Sequence, residues 1–279
     1  MGGLTDMYKL VALDLDGTLL DDKGRISARD AKAITAFSRK GGMVVLSSGR
    51  MTGCVEPFAK LMGIDCSVIS YNGAMVRLTE REGRELLYHE PLESSHSDRI
   101  VDFCEREGYL LNYYLDDLLY ARGDASLRRY AEIYSGQTKA VYRFVDNLSG
   151  FRGKSPTKLI LITDSSGPDK SRTRDFLYGY FEGAMGRFVN VARTNPEYLE
   201  FFSKKTDKGV ALGRLAGHYS IRREEIIAFG DGENDIPMLE YAGLSVAPSN
   251  SKIAAAASAG VVSRYDNNNS AVGRFLETI

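Results

Sequence analysis

Apolar residues in the first third of the chain fall into short continuous runs, separated by stretches where they recur every three or four positions. Residues 9–13, 43–46 and 67–70 read as buried strands. Between them, Ala31, Ile34 and Phe37 share a helix face that Ser27 can N-cap and Gly41-Gly42 ends. Val55, Phe58, Leu61 and Met62 form a second apolar face, which stops at Gly63. The turn Tyr71-Asn72-Gly73 closes the third strand. Helices between short apolar strands predict an α/β fold, a doubly wound parallel-sheet (Rossmann-like) core.

The pattern changes near residue 87 and returns near 194. From about 86 to 193 the chain is richer in tyrosine, phenylalanine and arginine. Its elements are expected at 98–107, 110–115, 127–134, 158–163 and 172–181, with polar breaks at 149–156 and 164–169. The last third repeats the first pattern: a helix over 207–215, a strand at 226–229, the loop GDGEND, a short helix at 236–241, a strand at 244–247 and a final strand at 261–262. The expected division is therefore a core domain in two parts, 1–86 and 194–279, with an α+β domain inserted at 87–193. Tyr113-Tyr114 and Phe176/Tyr180 are expected in the core of that insertion.

Composition narrows the class. The chain has 279 residues, 43% hydrophobic and 26% charged, which suits a soluble globular protein. A net charge of −1 gives no global field for nucleic acid or an anionic membrane, so neither is expected as a partner. No apolar run approaches the roughly 20 residues that span a bilayer. The start, MGGLTDMYKL, has no apolar signal core, and Asp6 stands where a myristoylation signal wants Ser or Thr. Cys54, Cys66 and Cys104 are far apart with no CxxC pair, so reduced thiols in a cytoplasmic protein are expected. Nothing in the sequence sets an oligomeric state.

The chemistry gathers at predicted strand ends, where open α/β sheets bind ligands. In LVALDLDGTLL, the run before Asp14 delivers two carboxylates one residue apart, Asp14 and Asp16, to a strand terminus. Like charges that close need compensation, and a hard divalent cation such as Mg²⁺ would supply it. Gly17 permits a tight turn. In LSSGR, Ser48 and the Gly49 N–H could hold a phosphate oxygen beside a helix start, although a serine N-cap reads equally well and Ser47 could substitute for Ser48. Lys208, in TDKGVAL, opens a helix where the macrodipole disfavours a cation; a bound anion would resolve the conflict, and a solvated lysine is the alternative. In GDGEND, Asp231 could complete a metal shell, Asn234 could contact a ligand, and Asp235 could bind metal or hold Lys208. The third glycine of a dinucleotide fingerprint is missing.

Taken in order, Asp-x-Asp-Gly-Thr, Ser-Gly, Lys and Gly-Asp-x-x-Asn-Asp resemble the motifs of the haloacid dehalogenase superfamily of phosphohydrolases. DLDGTLL, SSGR, SYNGA, DKGVAL and FGDGENDIPML are similar to its Cof-type branch. The resemblance covers both outer segments, and the middle corresponds by position and length to that family's inserted α/β cap domain. Two stretches depart from the family's pattern: Met51 stands where proline is common, and residues 244–251 differ from a GVAMGNA-like stretch.

The resemblance implies a Mg²⁺-dependent phosphatase acting on small phosphorylated metabolites, sugar phosphates or similar. A phosphotransferase or phosphomutase using the same aspartyl-phosphate is the alternative, and a non-enzymatic phospho-ligand-binding protein a further one. Carried over, Asp14 is the nucleophile and Asp16 the acid and base. The metal is held by the Asp14 carboxylate, the Asp16 backbone carbonyl and Asp231, with Asp235 a ligand or just behind. Leu15 N–H, Ser48, Gly49 N–H, Lys208 and Asn234 surround the phosphoryl oxygens. Arg50 and Asn72 are candidates for substrate specificity, and Arg122, Arg128 or Arg129 for contacts from the insertion.

Overall fold

The computed structural model describes residues 8–163, 170–194 and 196–279; the break expected at 164–169 lies outside them. Two compact units emerge, one running to His89 and resuming at Thr206, the other Glu90–Lys205.

The first unit opens with β1 (Leu10–Asp14), α1 (Ala28–Arg39), β2 (Met43–Ser47), α2 (Thr52–Met62), β3 (Ser67–Ser70), a one-turn helix Tyr71–Gly73, β4 (Met75–Arg77) and β5 (Leu86–His89). The second holds α3 (Ser94–Glu107), β6 (Leu110–Leu115), β7 (Leu118–Arg122), α4 (Ala125–Thr138), β8 (Tyr142–Val145), β9 (Lys158–Ile162), α5 (Lys170–Met185), β10 (Val189–Arg193) and β11 (Tyr198–Ser203). The first unit then resumes with α6 (Lys208–His218), β12 (Ile226–Phe229), α7 (Ile236–Tyr241), β13 (Leu244–Ala247), α8 (Ile253–Ser258), β14 (Val261–Val262) and α9 (Ala271–Leu276).

The sheet of the first unit runs β14-β13-β12-β1-β2-β3-β4-β5. The pairs from β14 to β3 are parallel, as expected. β4 and β5 add an antiparallel edge that the helix–strand alternation did not announce. Alternation within each strand splits the core in two. Val11, Leu13, Leu46 and Phe229 face α1, α2 and α9, whereas Leu10, Ala12, Val45 and Ala228 face α6, α7 and α8. Helices thus cover both faces of a sheet whose central strands are buried throughout. Ser27 caps α1 by accepting from Asp30 N–H, and left-handed Gly63 ends α2. Leu61, expected on the apolar face of α2, is 71% exposed.

The sheet of the second unit runs β10-β11-β9-β6-β7-β8, antiparallel except between β7 and β8. Leu111, Tyr113, Leu159, Leu161, Leu199 and Phe201 alternate onto one face and share a core with residues of α3 and α5. Because β11 pairs with β9 and β10, this unit extends to Lys205, beyond the boundary expected at 193, and β5 carries the first unit to His89 instead of 86. Tyr113 and Tyr114 are buried as expected; Phe176 and Tyr180, on α5, are 74% and 50% exposed. Arg122 pairs with Glu105 and Asp124, and Arg128 lies over Phe144. No described helix is long and apolar enough to cross a membrane.

Candidate active site

Parallel pairing brings the carboxyl ends of β1, β2 and β12 to one edge of the sheet of the first unit. Asp14, the last residue of β1, sits in register with Ser47 at the end of β2. Its side chain continues the face of Leu10 and Ala12, the face over which α6 packs. Lys208, the first residue of α6, therefore meets it. The Asp207 side chain caps that helix by accepting from Val210 N–H, so the cation sits at a terminus with a satisfied cap.

Lys208 is fully buried. Its ammonium donates to Asp14 Oδ1 at 2.6 Å, to Asp235 Oδ1 at 2.5 Å and to the Ser47 carbonyl at 3.3 Å. Three protons meet three acceptors. Burial opposes the charge, but the neighbouring carboxylates of Asp14 and Asp235 outweigh it and hold the ammonium protonated well above the usual lysine range. The solvated-lysine reading is excluded.

Asp235 spends its other oxygen on the backbone N–H groups of Asp231 (3.0 Å) and Gly232 (2.8 Å), which shapes the loop after β12. Asp231 Oδ1 accepts from Thr18 Oγ1 at 3.0 Å. That bond closes the ring between the two acidic loops, and a β-carbon at Gly17, where φ is +84°, would collide with the Asp231 carboxylate. Asp14, Asp231 and Asp235 gather so that one carboxylate oxygen from each lies within 4.8 Å of the others. Burial, and next the charge of Asp235, push the Asp14 carboxyl well above the usual range, against the pull of Lys208. Burial and Asp235 raise Asp231 too. Asp14 Oδ2 is buried with no hydrogen-bond partner among the described residues.

Asp16 stands apart from this trio. Its carboxylate is more than half exposed and accepts from Arg50 Nε at 2.9 Å and from an Arg50 terminal nitrogen at 2.5 Å. Leu15 is buried, and its carbonyl accepts from the N–H groups of Thr18, Leu19 and Leu20 to form the turn. Ser48 does not cap α2, whose N-cap is Met51; its hydroxyl accepts from Arg50 N–H at 3.2 Å. Asn234 Nδ2 donates to Asn72 Oδ1 at 3.1 Å, beside Gly49.

Motif reading left out three contributors: the Thr18 hydroxyl, the Ser47 carbonyl and Asn250, whose Nδ2 donates to the Gly17 carbonyl at 2.8 Å. Thr18 stood in view inside DLDGT. Asn250 lies in the stretch 244–251 that departs from the family pattern, and Lys252 N–H donates to the Asp231 carbonyl beside it.

Comparison with known proteins gives the same picture from outside. The sequence model for haloacid dehalogenase-like hydrolases matches residues 11–276. The chain is 31% identical to phosphatase YwpJ of Bacillus subtilis, over 88% of this chain and 90% of that one. It is 28% identical to the 5-amino-6-(5-phospho-D-ribitylamino)uracil phosphatase YitU of the same organism, over 86% of each. The crystal structure of TM0651 from Thermotoga maritima superposes with a TM-score of 0.87 at 33% identity, covering 98% of both chains. With its buried lysine set among carboxylates at the strand ends, and with this likeness along nearly its whole length, the chain belongs to the haloacid dehalogenase-like hydrolases, in their Cof-type branch, and is a phosphatase.

Proposed function

We propose that the chain is a Mg²⁺-dependent phosphomonoester hydrolase acting on small phosphorylated metabolites, sugar phosphates or similar, through an aspartyl-phosphate on Asp14. One observation carries this reading. Lys208 holds one oxygen of the Asp14 carboxylate, and the other is buried without a partner among the described residues. A nucleophile needs such an oxygen: oriented, desolvated and unspent.

The donor set fits a hard cation, because three carboxylates gather around a single ammonium with one oxygen of each within 4.8 Å of the others. The carboxylates of Asp14 and Asp231, with the Asp16 backbone carbonyl, would hold it. Asp235 stands behind, its oxygens engaged by Lys208 and backbone N–H groups. When bound, Mg²⁺ supplies Lewis-acid neutralisation of the charge between carboxylate and phosphate dianion.

In the first half-reaction Asp14 Oδ2 attacks phosphorus. A P–O bond to the carboxylate forms, the ester P–O bond breaks, and Asp16 gives a proton to the leaving oxygen. In the second half, Asp16 takes a proton from water as the water oxygen attacks phosphorus, releasing inorganic phosphate and restoring Asp14. Arg50 engages both Asp16 oxygens, so one of those bonds must open for Asp16 to carry a proton. Leu15 N–H, Ser48, Gly49 N–H and Asn234 would surround the phosphoryl oxygens. Lys208 has spent its protons, so it reaches phosphate by exchanging its longest bond, the one to the Ser47 carbonyl. Its first task is to hold Asp14. A relative named for its activity on 5-amino-6-(5-phospho-D-ribitylamino)uracil supports a metabolite-sized substrate, and Arg50 is the candidate for contact with the rest of it.

The test uses an aryl phosphate. Asp14→Asn should abolish phosphate release without unfolding the protein, and reaction in isotopically labelled water should place label in the released phosphate. Full turnover by Asp14→Asn overturns the reading; delivery of the phosphoryl group to a second sugar, in place of water, selects the phosphotransferase alternative.

A further inference from the structure

The turn Tyr71–Gly73 places two consecutive non-glycine residues in the left-handed region, Tyr71 at φ 53° and Asn72 at φ 55°, ψ 33°. Asparagine tolerates that conformation, but a tyrosine adopts it only where its surroundings impose it. The imposing contacts come from three directions. Tyr71 N–H donates to the Arg50 carbonyl and Asn72 N–H to the Ser48 carbonyl, each at 3.0 Å, tying the turn to the loop after β2. On a second side, Thr206 Oγ1 donates to the Gly73 carbonyl at 2.9 Å. A β-carbon at Gly73, with φ at +101°, would run into the Asp207 carbonyl, so the turn lies directly on the start of the helix that carries Lys208. On the third side, Asn72 Oδ1 accepts from Asn234 Nδ2 at 3.1 Å. The same oxygen would meet a β-carbon at Gly49 at 2.9 Å.

One strained turn therefore touches every loop that would contact a phosphoryl group, except the one carrying Asp14. We propose that Asn72 is a positioning residue: its side-chain oxygen orients the Asn234 amide and seats Gly49, fixing the spacing between two phosphoryl contacts. The proposal rests on reading Asn234 and Gly49 as such contacts. Asn234 has two Nδ2 hydrogens, and spending one on Asn72 aims the other. Backbone strain held by surrounding bonds is a common means of fixing a site in advance of its ligand. Asn72 thus acts through Asn234 and not on the leaving group, which revises its expected role in substrate choice.

The test is a double-mutant cycle on kcat and KM with one aryl phosphate, using Asn72→Gly, Asn234→Ala and the pair. Glycine accepts the left-handed φ, so the thermal midpoint should hold. Asn234→Ala is expected to lower kcat about tenfold or more. Asn72→Gly should lower kcat by about fivefold to tenfold with little change in KM, and the double variant should be no worse than Asn234→Ala alone. Asn72→Asp keeps the accepting oxygen and should recover kcat, its added charge appearing in KM. Multiplying losses in the double variant, wild-type kcat in Asn72→Gly, or no recovery by aspartate would each overturn the proposal. A silent Asn234→Ala would overturn the phosphoryl-contact reading and the proposal with it, so that variant separates the two failures.

Discussion

At Lys208 three buried hydrogen bonds decide a charge state. An amine with no access to water loses its proton readily unless anions surround it, and here Asp14 and Asp235 do so at 2.6 and 2.5 Å. The lysine in turn keeps two buried carboxylates from facing each other unscreened. Lys208→Met should therefore abolish turnover and also cost about 3 kcal/mol of stability or more, since it leaves buried charges unpaired. Urea unfolding near neutral pH measures this; unchanged stability would contradict the ion-pair account. Asp14, Lys208, Asp231 and Asp235, which the structure brings together, could be picked out in the sequence because each sits where an apolar run ends or a helical pattern begins. The Thr18–Asp231 bond and the Ser47 carbonyl contact were not, because they depend on register between segments far apart in the chain.

Among elements, β1 and β12 carry the two acidic loops, so their alignment sets the distance between Asp14 and Asp231. At the opposite end of this pair, the Lys9 ammonium lies 2.7 Å from Glu225, and Arg222 N–H donates to the same carboxylate at 2.9 Å. The Lys9 contact, then the bonds from Arg222, hold the Glu225 carboxyl down at about 2. A depressed carboxyl stabilises the fold at pH values above its unfolded pKa of about 4.5, and that contribution is lost as pH falls through its folded value. Glu225→Gln should accordingly destabilise the protein at neutral pH, and its deficit against the wild type should close as pH drops toward about 2. Unfolding midpoints across that range check the sign; a deficit that widened in acid would contradict it. Strands β3, β12 and β13 were legible as short apolar runs. The edge strand β5 was not, since its residues are partly exposed and carry no clean alternation. Tyr198–Ser203 is not read as a strand from the sequence, and the boundary expected at 193 leaves it with the core half; only its pairing with β9 and β10 reveals which sheet it joins.

For the whole molecule, the change in composition near residue 87 falls close to Glu90, where the second compact unit begins, and the pairing of β11 carries that unit on to Lys205. We read Glu90–Lys205 as a folding domain, because all the strands of its sheet and the core on α3 and α5 lie within it. Expressed alone, that segment should show a single cooperative urea transition and near-ultraviolet dichroism of packed aromatics such as Phe181 and Phe201. A broad, gradual transition would contradict the reading. The central claim is that one oxygen of Asp14 forms a covalent bond to phosphorus. Asp16→Asn, given an aryl phosphate whose leaving group needs no proton, should still load the enzyme but lack the base that unloads it. Mass spectrometry after acid quench should then find one phosphoryl group, on the peptide containing Asp14. A phosphoryl group on another residue, or turnover with no covalent adduct, would contradict the account.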